Sequence, residues 1–361
     1  MKIGIVTQSL QANYGGILQN LALQRVLKDL GHDPITIDYY HQISLYRWLG
    51  STVRSLLLYF SKKRRPFARF IETYKIHRNR NIECFLNKNI QLTKCVARYK
   101  PNLISRYDLD VVIAGSDQIW RPCYNLNIED MYLRFVRHYG VKKIAYAASF
   151  GTDEWEYSTE QTINCRMYAQ KLDAISVREL SAVDLCKKYL GVDAVVTLDP
   201  TLLLTKDYYE NLCVCVPKQS ISTVVAYILD VNAAKQRIID FISEEQCASK
   251  RVFHAKGDSE SISVEQWLAL FRDAKYIVTD SFHGTVFSII FQKPFLCVGN
   301  NSRGTARFKS LLSMFGLEDR LVDINNFSSY DEQPINWRKV NCILEHERVN
   351  SLKFLTRALS K

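Results

Sequence analysis

The sequence has no run that approaches the roughly 20 uninterrupted apolar residues needed to span a membrane. Residues 1–7 are typical of a β-strand, and no signal-peptide cleavage pattern follows them. These two absences predict a cytoplasmic protein. Hydrophobic residues make up 47% of the 361 and charged residues 24%, which is ordinary for a globular chain and argues against disorder.

Patterns typical of metal sites and disulfide frameworks are also missing. The ten cysteines include no Cys-x-x-Cys pair, so their spacing suits neither a zinc knuckle nor a disulfide framework. Cys213 and Cys215 alternate with valines, a pattern that predicts one face of a strand. We therefore expect buried, reduced thiols, no metal site and no cofactor.

Acidic residues are scarce in one part of the chain. Residues 41–106 hold fifteen Lys and Arg against Glu72 and Glu83, so this segment carries +13 and the remainder −2. Leucines lie among the basic residues near the cluster at 62–65, which predicts basic amphipathic helices inserted into the first domain. Two interpretations stay open: a solvated helical face, or a platform for phosphate-bearing partners or an anionic membrane surface.

Short apolar runs alternate with helical patterns along the rest of the chain. The runs at 2–7 and 34–39 flank a helix predicted at about 16–30, and this β-α-β order requires a parallel sheet with a right-handed crossover. The same order returns from residue 222 onward. We therefore expect an α/β protein with two Rossmann-like, doubly wound domains that face a cleft.

The predicted domain boundary is a loose, polar stretch at 216–220. The N-terminal domain is expected at 1–215, with the basic insertion at 43–106, and the C-terminal domain at 216–335. Residues 336–361 predict a helix that can cross back onto the first domain. Ligands bind such sheets beyond the carboxyl ends of their strands, so polar residues that follow apolar runs are the candidate site residues.

The first candidate motif is Asn13-Tyr14-Gly15-Gly16, in the loop after the first strand. Its glycines let backbone N–H groups approach an anion at a helix N-terminus. It is neither Gly-x-Gly-x-x-Gly nor a P-loop, and a purely structural turn explains it equally well.

The second motif places Ser116, Asp117 and Gln118 after the strand predicted at 109–114, with Trp120 close by. Carboxylate and amide groups can accept hydrogen bonds from sugar hydroxyls, and an indole can stack on a sugar face. The alternative is that Ser116 or Asp117 only caps the next helix.

The third motif contains an arginine at the end of a strand predicted at 174–177. The planar guanidinium of Arg178 suits a carboxylate or a phosphate. The alternative is an internal ion pair with the neighbouring Glu179.

The fourth motif contains His283 between a strand and an apolar helix, with Asp280, Ser281 and Gly284 around it. Histidine side chains serve as general acids and bases or as ligands of anions. A second strand follows, and Arg303 and Arg307 come after it. Arginines from both halves of the chain would suit a small dianionic or trianionic substrate.

Taken together, the four motifs resemble the polysaccharide pyruvyl transferase family. The resemblance rests on residues 13–20, 115–118, 176–179 and 281–284, whose order and spacing cover the chain from residue 1 to about 325. Members resemble glycosyltransferases of the GT-B type, with two Rossmann-like halves around a cleft. They transfer pyruvate from phosphoenolpyruvate to sugar hydroxyls as a ketal. The resemblance thus implies a transferase of surface polysaccharide biosynthesis, such as that of a capsule or exopolysaccharide.

Residue by residue, the resemblance assigns the donor-binding arginine to Arg178 and the family's histidine to His283. Many members have an arginine where this chain has Ser281, and Arg303 or Arg307 would compensate. His283 would protonate the enol methylene of the donor or bind its phosphate, and Asp117 would accept a proton from the acceptor hydroxyl. The expected site residues are His283 and Asp117 for catalysis, Arg178, Arg303, Arg307, Ser281 and Gly284 for the donor, and Asn13, Tyr14, Gly15, Gly16, Ser116, Gln118 and Trp120 for the acceptor.

Two other functions stay open. The same architecture serves nucleotide-sugar glycosyltransferases, although no motif here is committed to a nucleobase or a ribose. A non-catalytic protein could use the basic segment to hold anions or nucleic acid, but no nucleic-acid motif accompanies it. The expected partners are phosphoenolpyruvate on the second domain and a saccharide on the first. The saccharide is either free or lipid-linked, and contact with an anionic membrane at its inner face is one of the two interpretations of the basic segment. Nucleic acid is not expected.

Overall fold

A computed structural model describes residues 1–11, 13–39, 78–125, 127–218, 222–254, 262–299, 304–324, 327 and 333–360. The basic cluster at 62–65 and Arg303 lie outside the described residues, so membrane contact by that cluster and donor binding by Arg303 stay predictions. Within the described ranges, no helix is both long and apolar enough to cross a membrane.

The first half of the chain forms a parallel sheet with the strand order β2-β1-β3-β4-β5-β6. Its strands are β1 (Lys2–Val6), β2 (Asp33–Thr36), β3 (Val111–Ala114), β4 (Lys142–Ala148), β5 (Ala174–Val177) and β6 (Val195–Val196). Its helices are α1 (Tyr14–Asp29), α2 (Arg80–Asn89), α3 (Asn102–Tyr107), α4 (Thr159–Ala169), α5 (Leu180–Leu185), α6 (Pro200–Leu203) and α7 (Lys206–Leu212). Shorter turns are the 3-10 helices Pro122–Tyr124, Ile128–Tyr132 and Arg134–Val136 and the π-helix Cys186–Leu190.

The second half forms another parallel sheet, with the order β11-β10-β9-β7-β8. Its strands are β7 (Thr223–Ile228), β8 (Ser249–His254), β9 (Tyr276–Thr279), β10 (Phe295–Val298) and β11 (Leu321–Val322). Its helices are α8 (Ala233–Glu245), α9 (Val264–Asp273), α10 (Phe282–Ile290), α11 (Ala306–Phe315) and α12 (Trp337–Leu359), with a 3-10 turn at Glu318–Arg320. Two parallel sheets, each with helices between successive strands, are two Rossmann-like domains.

Both faces of the central strands are buried. In β3, Val111 and Ile113 join an apolar cluster that spans the two halves, whereas Val112 and Ala114 join a cluster confined to the first half. Strands covered on both faces need nearly continuous apolar runs, which is why these segments read as uninterrupted valine, isoleucine and alanine. The shared cluster between the two sheets holds the halves together and fixes the strand ends that face each other.

The predicted strand through Cys213 and Cys215 is wrong. Cys213 is the C-terminal cap of α7 and is buried, whereas Cys215 lies exposed in the turn that follows. An alternation of only four residues is too short to separate a strand from the end of a helix, and Thr205 caps α7 by accepting a hydrogen bond from Tyr208 N at 3.3 Å. All ten cysteines are free thiols, but six are exposed, so the expectation that they are buried holds for only four.

The C-terminal helix α12 packs on α6 of the first half and on α11 of the second. Leu355 is fully buried, and Ser351 Oγ accepts a hydrogen bond from Leu198 N at 3.0 Å. Arg348 donates through Nε to the carbonyl oxygen of Leu202 at 2.6 Å. The helix thus covers the segment that leads from β6 into α6.

Candidate active site

Five polar loops follow strands of the two sheets and meet where the halves face each other. In the first half they are the segments 13–16 after β1, 115–118 after β3, Arg178 after β5 and Asp199 after β6. In the second half it is the segment 281–284 after β9. The carboxyl ends of parallel strands lie at one edge of a sheet, which is where such folds bind ligands.

Asp199 is the carboxylate around which the other polar groups are arranged. Its Oδ2 accepts hydrogen bonds from Arg178 Nη1 at 2.7 Å and from Ser116 Oγ at 3.1 Å, and its Oδ1 accepts one from Thr201 N at 3.0 Å. His283 Nε2 lies 3.7 Å from Oδ2. Burial alone would raise the pKa of Asp199, but His283, Arg178 and Thr201 outweigh burial and hold that pKa well below its ordinary value.

Arg178 links the two carboxylates of the site. Its Nη2 lies 3.8 Å from Asp117 Oδ1, and its guanidinium carbon lies 4.2 Å from the ring centroid of Phe282. Within the described part of the chain, the buried Nε and Nη2 of Arg178 donate no hydrogen bond. A buried donor left unsatisfied costs about 1–3 kcal/mol, so these two N–H groups suit the oxygens of a carboxylate or a phosphate.

The alternative pairing of Arg178 with Glu179 is wrong. Glu179 Oε1 instead accepts hydrogen bonds from Ser149 Oγ at 2.9 Å, Phe150 N at 2.8 Å and Gly151 N at 2.9 Å. Glu179 therefore organises the loop after β4, and Arg178 is free to face the two aspartates.

Arg307 brings a second guanidinium to the same place. Its guanidinium carbon lies 5.4 Å from the ring centroid of Phe282, the ring that Arg178 also contacts. With its amide oxygen turned toward Arg307, Gln118 accepts hydrogen bonds from Nη2 at 3.2 Å and Nη1 at 3.3 Å. Burial and then the nearby Arg178 lower the pKa of Arg307 to about 10, although Asp117 opposes them. The two buried guanidiniums therefore lie near one aromatic ring and bring two positive charges to the site, beside the carboxylates of Asp117 and Asp199.

Asp117 adopts an unusual backbone conformation. Its φ is 78°, in the left-handed region that residues other than glycine rarely occupy. Its carboxylate accepts hydrogen bonds from Gln118 N at 2.8 Å and from Asn13 Nδ2 at 3.4 Å. Strained backbone of this kind is common at functional sites, and here it carries the carboxylate toward Arg178.

The N-terminal turn of α1 touches the histidine of the other half. A Cβ at Gly15 would lie 2.2 Å from both Cγ and Nδ1 of His283, so only glycine fits. Within the described residues, the buried Nε2 of His283 has no hydrogen-bond partner. A second close approach joins the halves at Gly304, whose φ is 78° and where a Cβ would lie 2.1 Å from the carbonyl oxygen of Gly151.

Most of the residues predicted for the site are brought together. The cluster, with its contacts, comprises Asn13, Gly15, Gly16, Ser116, Asp117, Gln118, Arg178, His283 and Arg307. Ser281 and Gly284 form the start of α10 beside it, where Ser281 Oγ accepts a hydrogen bond from Gly284 N at 3.3 Å. The individual roles predicted for these residues stay predictions.

The structure contradicts two predicted acceptor contacts. Trp120 is fully buried and stacks on Tyr132 with ring centroids 4.7 Å apart. Tyr14 is also fully buried, stacks on Trp267 at 5.7 Å, and donates its hydroxyl hydrogen to the carbonyl oxygen of Ile262 at 2.9 Å. Neither ring is available to a sugar because both belong to the apolar core.

Sequence reasoning missed Asp199 and Phe282. Asp199 follows the apolar run at 194–198 and precedes a proline, so its place at a strand end was a usable signal. Phe282 stands inside the histidine motif, but its contact with two guanidiniums depends on long-range packing that no local pattern reveals.

A family model described as polysaccharide pyruvyl transferase matches residues 13–302, a span that includes Asn13, Asp117, Arg178, Asp199 and His283. The chain belongs to the polysaccharide pyruvyl transferase family. This membership supports a transferase that acts on a saccharide acceptor in polysaccharide biosynthesis. No curated protein matches the chain significantly.

Three solved structures resemble this pyruvyl transferase family member, and the first of them has a TM-score above 0.5. UDP-GlcNAc 2-epimerase from Methanocaldococcus jannaschii superposes with a TM-score of 0.51 at 12% identity, covering 96% of this chain and 92% of that one. UDP-N-acetylglucosamine 2-epimerase from Rickettsia bellii gives 0.43 at 8% identity, with 99% of both chains covered. UGT89C1 of Arabidopsis thaliana, complexed with UDP-L-rhamnose, gives 0.46 at 10% identity, with 99% and 94% covered. The fold is the GT-B arrangement of two Rossmann-like domains.

Proposed function

We propose that this protein transfers the pyruvyl group of phosphoenolpyruvate to two hydroxyls of a saccharide, forming a ketal during surface polysaccharide synthesis. The observation that carries the proposal is the buried guanidinium of Arg178, whose Nε and Nη2 donate no hydrogen bond within the described residues. Phosphoenolpyruvate offers a carboxylate and a phosphate, and Arg178 and Arg307 offer two guanidiniums around one ring. Family membership supports the pyruvyl group and the saccharide.

The donor would lie between the two halves. Arg178 comes from the first half, and Arg307 and His283 come from the second. We place the donor carboxylate and phosphate against the guanidiniums and its methylene carbon near the imidazole. Asp199 acts as a positioning residue, because it holds Arg178 at 2.7 Å and faces His283.

The proposed reaction begins with proton transfer from His283 to the methylene carbon, which makes C2 of the donor electrophilic. The first acceptor hydroxyl adds to C2 and gives its proton to Asp117. Phosphate then leaves C2, and the second hydroxyl adds to close the ketal. The two hydroxyl protons are thus accounted for. One replaces the proton that His283 gives to the new methyl group, and the other leaves with the phosphate. The positive charge of Arg178 and Arg307 stabilises the departing phosphate.

Measurements of donor binding and of turnover distinguish the role proposed for Arg178 from the role proposed for His283. Arg178→Lys keeps the positive charge that pairs with Asp199 but loses the planar guanidinium and its two unused donors. A charge-assisted hydrogen bond contributes about 1.5–3 kcal/mol, so the Kd for phosphoenolpyruvate should rise by about 10-fold or more. His283→Ala should chiefly lower turnover. Isothermal titration gives the first quantity, and phosphate release with nitrophenyl or lipid-linked sugars gives the second.

A matched control is Arg25→Lys, because Arg25 is exposed on α1 and pairs with Asp29. This control should leave both quantities unchanged. A nucleotide-sugar glycosyltransferase would instead bind a UDP-sugar and ignore phosphoenolpyruvate, and that result would contradict the proposal.

A further inference from the structure

A cleft beside the candidate active site is lined by aromatic and neutral polar side chains. It lies beyond the carboxyl ends of β1 and β2, has a cavity volume of about 110 Å³, and has Tyr39, Tyr99 and Tyr124 in its walls. Gln8, another lining residue, donates from Nε2 to the carbonyl oxygen of Gln118 at 3.2 Å. The cleft therefore borders the loop that carries Asp117.

Two hydroxyl groups in the wall of the cleft are buried without a hydrogen-bond partner among the described residues. They are Tyr99 Oη and Ser9 Oγ. The side chain of Tyr99 is only 7% exposed, and its ring is held between Tyr39 at 4.8 Å and Phe135 at 5.3 Å. Burial raises the pKa of Tyr99 well above its ordinary value, so this hydroxyl keeps its proton and can donate it to a ligand.

The charge of the lining indicates the class of ligand. Among the described residues that line the cleft there is no Lys, Arg or His. The one carboxylate, Asp130, already accepts a hydrogen bond from Arg134 Nε at 3.0 Å. Two arginines lie next to described lining residues, and each is paired with a carboxylate. Arg134 pairs with Asp130, and Arg121, whose guanidinium carbon lies 5.5 Å from the ring centroid of Tyr124, pairs with Glu156. The described lining thus offers an anion no cation of its own, unlike the arginines of the neighbouring site. Aromatic rings with hydroxyls and amides suit a neutral ligand that has hydroxyl groups around an apolar face.

We propose that this cleft binds the sugar unit of the acceptor that receives the pyruvyl group. That the acceptor is a sugar follows from the proposed function, on which this inference rests. The residues that bind the sugar are inferred from the lining of the cleft. Tyr99, Ser9 and the exposed Asn127 hydrogen-bond the ring hydroxyls, and Tyr124 packs on the C–H face of the sugar. The cleft supplies the aromatic contact that the core residue Trp120 cannot provide.

Direct binding of nitrophenyl hexosides tests the proposal, with isothermal titration and saturation-transfer NMR as readouts and phosphoenolpyruvate titrated separately. Tyr99→Phe removes the hydroxyl and keeps the ring, and Asn127→Ala removes an exposed amide. Each variant should weaken the best hexoside by about 2- to 10-fold, the loss expected for one hydrogen bond. Tyr139→Phe, at an exposed tyrosine that does not line the cleft, is the matched control and should bind as the parent does.

The two proposals fail in different ways. The cleft assignment is wrong if the parent protein binds no hexoside. It is also wrong if Tyr99→Phe and Asn127→Ala bind the hexoside as tightly as the parent does. Either result counts against the cleft even if phosphoenolpyruvate binds. If hexoside binding depends on Tyr99 and Asn127 but the protein does not bind phosphoenolpyruvate, the cleft assignment is supported. The proposal that phosphoenolpyruvate is the donor is then wrong.

Discussion

Arg178 and Asp199 form an ion pair in which each side chain is at most 3% exposed. Removing two charges from water costs several kcal/mol per ion, and only good geometry with further hydrogen bonds offsets that cost. Asp199 has such bonds from Ser116 and Thr201, whereas Arg178 keeps two donors unused within the described residues. The aspartate is thus satisfied by the protein, and the arginine is left to interact with a ligand.

Asp199→Asn tests the structural part of this arrangement. It removes the closer of the two carboxylates that pair with the buried guanidinium and leaves only Asp117 at 3.8 Å. We therefore expect a loss of about 3–5 kcal/mol in the free energy of unfolding at pH 7. The lowered pKa of Asp199 means that the wild-type stabilisation is present above the unfolded value of about 3.9 and is lost as pH falls toward the folded pKa. The difference in the free energy of unfolding between wild type and Asp199→Asn should therefore become smaller below about pH 4.

Denaturant unfolding at several pH values gives these free energies. Asp29→Asn, at an exposed aspartate paired with Arg25, is the control and should change stability by less than about 1 kcal/mol. Equal stability of Asp199→Asn and wild type at pH 7 would show that the pair does not stabilise the fold.

Gly15→Ala tests the contact between the halves at the histidine. The new methyl group would occupy the place of the His283 ring, and a displacement of about 1 Å can lower turnover on the order of 100-fold. Phosphate release measures turnover, and far-UV circular dichroism reports whether the fold persists. Gly140→Ala is the matched control, because a Cβ there meets nothing within 4 Å. Unchanged turnover in Gly15→Ala would remove His283 from the catalytic assignment.

At the level of single residues, the sequence indicates strand-end polar groups well and their partners poorly. Asp117, Arg178 and His283 each follow an apolar run, and the topology of parallel sheets brings such residues together. Trp120 was misassigned because an indole looks the same in a sequence whether it lines a site or, as here, is buried in a core. Asp199 also follows an apolar run, but its pairing with Arg178 depends on a contact that no local pattern reveals.

Helix α12 connects the end of the chain to both halves, and its buried face is narrow. Leu355 is fully buried, whereas Val349 on the same helix is 49% exposed. Leu355→Ala should lower the free energy of unfolding by about 2–5 kcal/mol through loss of burial and creation of a cavity. Val349→Ala should change it by no more than about 0.5 kcal/mol. Thermal and denaturant unfolding measure both, and equal effects would mean that α12 is not part of the core.

Among the elements, those with a long and regular apolar period lie where the sequence predicts them. The helices predicted at about 16–30 and at 336–361 coincide with α1 and α12 to within two residues at each end. Short elements are harder, because four alternating residues around Cys213 fit a strand and a helix end equally well. Helices α6 and α7 were not anticipated, since their four and seven residues carry too little periodicity.

At the scale of the whole molecule, the site depends on both halves. Asp117, Arg178, Asp199, His283 and Arg307 are each less than 10% exposed. A donor can reach these groups only if the surrounding chain is displaced to admit it. If the halves then close around the bound donor, water is excluded from the reacting carbon, and the electrostatic interactions there become stronger.

Chelation tests whether the arginines alone supply the positive charge. We predict that activity survives exhaustive EDTA treatment, because in the described part of the chain no group of three or more His, Cys, Asp or Glu is arranged to hold a metal ion. The measurement is phosphate release before and after dialysis against EDTA. Loss of activity that Mg²⁺ or Mn²⁺ restores would contradict this prediction.

The most direct test of pyruvyl transfer is identification of the product. The protein is incubated with phosphoenolpyruvate and the hexoside that it binds best, and the saccharide is analysed by mass spectrometry while phosphate is quantified. The predicted result is a saccharide heavier by one pyruvate less one water, formed in equal amount with phosphate and absent from His283→Ala. A saccharide left unchanged with phosphoenolpyruvate but glycosylated from a UDP-sugar would contradict the assignment.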